Sequence, residues 1–121
     1  MTATILIVDD NALNLELVAD VLELAGFEVL TAASGREGVE QARRHHPDLI
    51  LMDLRMPGMS GLEAMEAIRK DAETRDIPVA VLTASAMKGD RERLLNSGFS
   101  AYFQKPIDPA CFAAQVEALL G

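Results

Sequence analysis

Cysteine is nearly missing: Cys111 stands alone in 121 residues. No internal disulfide is available to it, and a lone thiol fits a reducing compartment, so a cytoplasmic location is expected. Long hydrophobic runs are lacking too. No apolar stretch approaches the roughly 20 residues of a membrane-spanning helix, and Met1-Thr2-Ala3-Thr4 followed by a strand pattern is no signal peptide. No membrane contact is therefore expected. Positive charge is sparse, with 11 Lys and Arg scattered among 19 Asp and Glu and a formal charge of −8. Direct binding of nucleic acid needs clustered Lys and Arg against the phosphates and is not expected. Repeats, low-complexity runs and linkers are missing as well. With 50% hydrophobic and 25% charged residues, the composition excludes disorder, and residues 1–121 are read as one domain with a real core.

What the chain does have is organised around residues 47–58. Leu49-Ile50-Leu51-Met52, introduced by Pro47-Asp48 and closed by Asp53 and the Pro57-Gly58 turn, reads as a short strand buried on both faces, as in a parallel sheet. Asp53 then stands at the C-terminal lip of that strand, where a carboxylate is unfavourable without partners. Thr4 to Val8 forms a second apolar run, ending in Asp9-Asp10. A helix is predicted from about Leu13 to Ala25, stopped by Gly26. Its apolar side chains cover an arc of roughly 200°, wider than the roughly 100° of a core-facing stripe, which leaves apolar surface for a partner. Phe27 to Thr31 carries Glu28 and is placed at a sheet edge. Ser34 with Glu37, and Ser60 with Glu63, are capping-box patterns for helices running to His45-His46 and to about Lys70. The two histidines are most simply solvated at a helix C-terminus.

Ile77 to Leu82 is the fourth apolar run and ends in Thr83, followed by Ala84-Ser85-Ala86. A polar helix from about Met87 to Asn96 follows, then a strand from Ser100 to Gln104 ending in Lys105-Pro106, then a closing helix started by Pro109 and patterned by Phe112, Val116, Leu119 and Leu120. Strands alternating with helices through short turns specify an α/β fold, a doubly wound parallel sheet of five strands with five helices. In such sheets ligands bind at the carboxyl ends of the strands. Four of those ends carry reactive or polar groups: Asp9 and Asp10, Asp53, Thr83, and Lys105. The flavodoxin-like order 2-1-3-4-5 sets them side by side and puts the bare second strand outside.

Three carboxylates in one crevice repel, each pair by about 4 kcal/mol at about 4 Å in an effective dielectric near 20. One lysine does not balance that, so a divalent cation is expected, and an all-oxygen set selects Mg²⁺ or Mn²⁺ over zinc. Asp53 is a candidate nucleophile that forms an acyl phosphate, Lys105 supplies charge, and the Thr83 hydroxyl donates to a phosphoryl oxygen.

On these motifs, Asp9-Asp10, Asp53, Thr83 and Lys105-Pro106 at successive strand ends, the chain resembles a response-regulator receiver domain of the CheY-like superfamily over essentially its whole length. The resemblance implies that Asp53 is phosphorylated by a histidine kinase or phosphotransfer protein in a Mg²⁺-dependent reaction. It implies a metal held by Asp10 directly, by Asp9 largely through water, by Asp53 and by the backbone carbonyl of Arg55. It further implies a switch in which Thr83 moves toward the phosphoryl group and Tyr102 turns inward. The output surface is then the fourth helix, fifth strand and fifth helix, used for a downstream partner or a weak dimer, and Lys105-Pro106 is the family's cis peptide. Such a domain catalyses its own phosphorylation and slow hydrolysis without being a turnover enzyme. Arg55 and Ser85, at variable positions beside the acceptor, bear on the lifetime of the phosphorylated state. Because the family docks its phosphodonor beside the first helix, the Leu15, Val18 and Leu22 stripe is either core or docking surface.

Other readings stay open. The chain is a stand-alone regulator, or a receiver cut from a hybrid kinase or multidomain regulator. A flavodoxin-like mononucleotide binder shares the fold, but Asp9-Asp10 replaces the Gly/Ser/Thr-rich phosphate loop. A phosphatase with an aspartyl intermediate lacks its second Asp, since Arg55 holds that position.

Overall fold

The computed structural model describes residues 2–84 and 90–120. Five strands and five helices alternate: β1 (Thr4–Val8), α1 (Ala12–Leu24), β2 (Glu28–Ala32), α2 (Gly35–His45), β3 (Leu49–Asp53), α3 (Gly61–Lys70), β4 (Val79–Thr83), α4 (Asp90–Asn96), β5 (Ala101–Gln104) and α5 (Phe112–Leu120). The strands form one parallel sheet in the order β2-β1-β3-β4-β5, the flavodoxin-like arrangement, with β2 at an edge. The predicted residues Met87 to Gly89 of the fourth helix, and Ser85, lie outside the described residues.

Strand periodicity splits the core into two layers. Leu6, Val8, Ile50, Met52, Val79 and Val81 face the side covered by α2, α3 and α4, while Ile5, Ile7, Leu49, Leu51, Ala80 and Leu82 face α1 and α5. Because both faces are covered, β3 and β4 are buried at every position, which explains their unbroken apolar runs. Phe103 on β5 meets Phe112 of α5 edge to face, ring centroids 5.1 Å apart.

The helix ends follow local chemistry. Asn11 caps α1, its side chain accepting from the Asn14 N–H. At the other end Gly26, at φ 99°, takes the left-handed conformation; its N–H donates to the Glu23 carbonyl at 3.0 Å and that of Phe27 to Leu22 at 3.1 Å. The capping box at Ser60 and Glu63 is complete. That at Ser34 is half formed: its hydroxyl accepts from the Glu37 N–H at 3.2 Å, but the Glu37 carboxylate accepts from Ala33 at 3.4 Å. α5 starts at Phe112 rather than Pro109, because Asp108 organises a turn first, its carboxylate accepting from the Ala110 N–H at 2.9 Å.

The apolar faces of α1 resolve clearly. Val18 and Leu22 are buried and the partly buried Leu15 packs with them, so that stripe belongs to the core, with Val18 also reaching the floor of a groove beside Leu17. The large apolar residues of α1 left exposed are Leu13, Leu17 and Leu24. Cys111 is exposed and has no core role, and His45 and His46 are exposed at the end of α2.

Candidate functional site

The sheet order brings the carboxyl ends of β1, β3, β4 and β5 to one cleft, lined by Asp9, Asp10, Asp53, Arg55, Thr83 and Lys105 among others. Asp9, Asp10 and Asp53 each offer a carboxylate oxygen, and the three oxygens lie within 4.8 Å of one another. Asp9 and Asp53 are buried, and Asp10 is exposed at the cleft mouth. Asp9 is fixed at both ends: its N–H donates to the Ala32 carbonyl at 3.1 Å, and its Oδ1 accepts from the Asn11 N–H at 2.9 Å. Asp9 is thereby tied to the capped start of α1.

Lys105 reaches across from the end of β5. Its Nζ donates to Asp9 Oδ2 at 2.9 Å and to Asp53 Oδ1 at 3.1 Å. The residue is positioned by its backbone N–H, which donates to the Thr83 carbonyl at 2.8 Å, and it is joined to Pro106 by a cis peptide. Burial disfavours the ammonium, yet the hydrogen bonds to Asp9 and Asp53 and their charges outweigh it and raise the Lys105 pKa. Asp53 is also shifted up: burial, with the nearby Asp9 and Asp10 charges, prevails over the hydrogen bond and charge of Lys105. Lys105 and the exposed Arg55 guanidinium at the rim leave the three clustered carboxylates short of positive charge.

That shortage fits a hard divalent cation. The donors are oxygens, with no His or Cys in the cluster, as magnesium requires. Arg55 lines the cleft with an exposed side chain just past β3, and Thr83 is buried at the end of β4. Tyr102 is not in the cleft lining. It lies on β5 opposite Val81 and packs, half-buried, against the α2–α3–α4 side of the core. Asn14, in the first turn of α1, also lines the cleft. It closes the Asp9-Asp10-Asn11-x-x-Asn14 run; the sequence alone assigns Asn14 no chemical role, and the fold brings it to the cleft.

Comparison with known proteins agrees with this geometry. The family model for the response regulator receiver domain matches residues 5–117. The chain is 46% identical over 121 residues to the polar-differentiation response regulator DivK of Brucella ovis, covering 100% of this chain and 98% of that protein. DivK of Brucella anthropi is 44% identical with the same coverage. Among solved structures, the receiver domain of sensor histidine kinase PA1611 from Pseudomonas aeruginosa, which has a magnesium ion coordinated in its active-site cleft, matches with a TM-score of 0.90 at 35% identity over 100% of this chain and 99% of that one. The chemotaxis regulator CheY4 of Vibrio cholerae matches with a TM-score of 0.90 at 29% identity, covering 98% and 99% of the two chains. The chain belongs to the response regulator receiver domain family. It is a signalling domain of the two-component type, with a CheY-like fold and an acidic cluster suited to magnesium and phosphorylation.

Proposed function

We propose that residues 1–121 work as a single receiver in which Asp53 accepts a phosphoryl group from a phosphohistidine on a kinase or phosphotransfer protein. The observation that carries this reading is the cluster of Asp9, Asp10 and Asp53 oxygens within 4.8 Å, with Lys105 Nζ 3.1 Å from Asp53. In the transfer an Asp53 carboxylate oxygen forms a bond to phosphorus as the P–N bond to the donor imidazole breaks. The electron pair leaves with the ring nitrogen, which takes a proton from solvent. Lys105 is in reach of a phosphoryl oxygen gained by Asp53, and the Thr83 hydroxyl donates to another. Asp9, Asp10, Asp53 and the Arg55 carbonyl would hold Mg²⁺, with Mn²⁺ as substitute, and the ion supplies positive charge against the carboxylates and the phosphoryl oxygens. The same residues serve self-catalysed phosphorylation and, with water as acceptor, dephosphorylation.

Thr83 and Tyr102 act as the switch, and the α4–β5–α5 face changes for a downstream protein or a weakly bound second copy. The donor is expected beside α1. A groove between Leu17 and Val18 on one wall and Pro106 and Ile107 on the other shares Asn14, Ala84 and Lys105 with the cleft, and Leu13 and Leu17 extend it as exposed apolar surface. No helix among the described residues is long and apolar enough to cross a membrane; the site of action in this reading is the cytoplasm. The likeness to DivK along the whole chain supports a part in polar differentiation of the kind those relatives are named for.

The test is transfer from a phosphorylated histidine phosphotransfer protein, compared with labelling by a small acyl phosphate. Leu17→Glu is expected to slow the protein donor about tenfold or more and leave the small donor unchanged. Equal effects on both donors would contradict donor docking beside α1.

A further inference from the structure

Gly61, the first residue of α3, lies against the peptide bond that follows Asp53. A Cβ at this position would fall on the Asp53 carbonyl oxygen and come within 2.8 Å of the Leu54 Cα. The Gly61 N–H donates to the Leu54 carbonyl at 2.9 Å, and the Leu54 N–H donates to the Leu82 carbonyl of β4 at 3.1 Å. Leu54 is therefore held through both its peptide groups, its N–H on β4 and its carbonyl on the first turn of α3, with the Asp53 carbonyl lying against Gly61. Neither side yields easily. β3 lies inside the sheet, between β1 and β4, and the start of α3 is pinned by the complete Ser60–Glu63 capping box. The contrast is Gly98, at φ 123°, where any side chain strains the backbone and an added Cβ would meet the Met65 thioether at 3.0 Å, but where neither residue belongs to the cleft lining.

We infer that Gly61 is a positioning residue for the phosphoryl acceptor: its missing side chain lets α3 brace the Asp53–Leu54 peptide, which sets where the Asp53 carboxylate and the Arg55 carbonyl stand. The inference rests on the reading of Asp53 as acceptor and deepens it. A Gly61→Ala change leaves every chemical group of the site in place and moves the strand end that carries it. Small displacements of reacting groups slow group transfer steeply, and groups that orient metal ligands act on affinity without touching the ion.

The experiment compares the wild-type protein with Gly61→Ala and Gly98→Ala in three readouts: Mg²⁺ affinity by calorimetry, the rate of Asp53 labelling by a small acyl phosphate, and Leu54 amide hydrogen exchange without metal. Thermal unfolding of each variant is recorded alongside. For Gly61→Ala, Mg²⁺ affinity is expected to fall about tenfold, labelling to slow about tenfold or more, and Leu54 exchange to accelerate. Gly98→Ala, at equal or greater loss of thermal stability, is expected to hold both functional readouts within about twofold of wild type. Gly61→Ala indistinguishable from Gly98→Ala in affinity and rate would overturn the positioning role while leaving Asp53 as acceptor. A wild-type protein that neither binds Mg²⁺ nor takes label would overturn both. If Gly61→Ala does not fold, Ser60→Ala loosens the same turn, and an unchanged Mg²⁺ affinity and labelling rate in that variant would count against the inference.

Discussion

Thr83 and Tyr102 share one face of the β4–β5 ladder, Tyr102 opposite Val81 and Thr83 one pleat nearer the cleft. A displacement of Thr83 toward Asp53 therefore opens space on the side where Tyr102 packs. Tyr102 is the single tyrosine in a chain without tryptophan, so its fluorescence reports this site alone. Phosphorylation of the wild-type protein is expected to change that signal. In Thr83→Val, which keeps the volume and removes the hydroxyl, labelling of Asp53 is expected to slow about tenfold and the fluorescence change to be lost. A Thr83→Val protein that labels and responds like wild type would count against the switch.

Lys105 is the cation that Asp9 and Asp53 share. Lys105→Met leaves two buried carboxylates uncompensated, and a destabilisation of about 1–3 kcal/mol is expected in the metal-free protein, read from urea denaturation. Added Mg²⁺ should stabilise this variant more than wild type, because an ion that binds the folded state restores the missing positive charge.

The acidity of the cleft sets a pH dependence with a definite sign. Burial first, then Asp9 and Asp10, holds the folded-state pKa of Asp53 above its ordinary 3.8. A raised carboxylate favours the folded state most below the ordinary value, and that contribution is lost as pH rises through the folded pKa. Asp53→Asn is thus expected to melt higher than wild type at pH 7 without metal, with the gap closing toward pH 4. For Lys105 the folded pKa lies above its ordinary 10.5, so its contribution persists through neutral pH and disappears only above that value. Melting curves across pH for wild type, Asp53→Asn and Lys105→Met check both signs, and a wild-type protein that melts higher than Asp53→Asn at pH 7 would contradict the first.

Arg69 joins three segments that are distant in sequence. Its guanidinium donates to the carbonyls of Arg75 at 3.0 Å, Ile77 at 2.7 Å and Gly98 at 3.2 Å, tying α3 to the approaches of β4 and β5. Arg69→Ala is expected to cost about 1–3 kcal/mol in chemical denaturation, with Arg69→Lys recovering little because an ammonium lacks the planar fork. Labelling of Asp53 should stay within about twofold of wild type in both variants, since the clamp lies at the opposite ends of the strands.

The parts of this molecule written in the sequence are those with a local cause. Unbroken apolar runs mark β1, β3 and β4 because both faces of the sheet are covered, and the residues ending those strands are the ones the cleft gathers. Glu28 within the second run marks the edge strand correctly. Legibility fails where a tertiary choice decides between local options. Glu37 had its own cap in reach and accepts from Ala33 instead. Pro109 suits a helix start, yet the Asp108 turn delays α5 to Phe112. The width of the apolar arc on α1 is legible as more than the core needs, but which leucines stay exposed depends on where α5 packs against it. Arg69 and Gly61 carry no local signal, because their partners become neighbours only once the sheet is assembled.

The most direct test is the intact mass of the protein after incubation with Mg²⁺ and a small acyl phosphate, beside Asp53→Asn and a chelated sample. One added phosphoryl group in the wild-type protein, missing from both controls, is the predicted result. An added group that persists in Asp53→Asn would contradict the assignment of Asp53 as the acceptor.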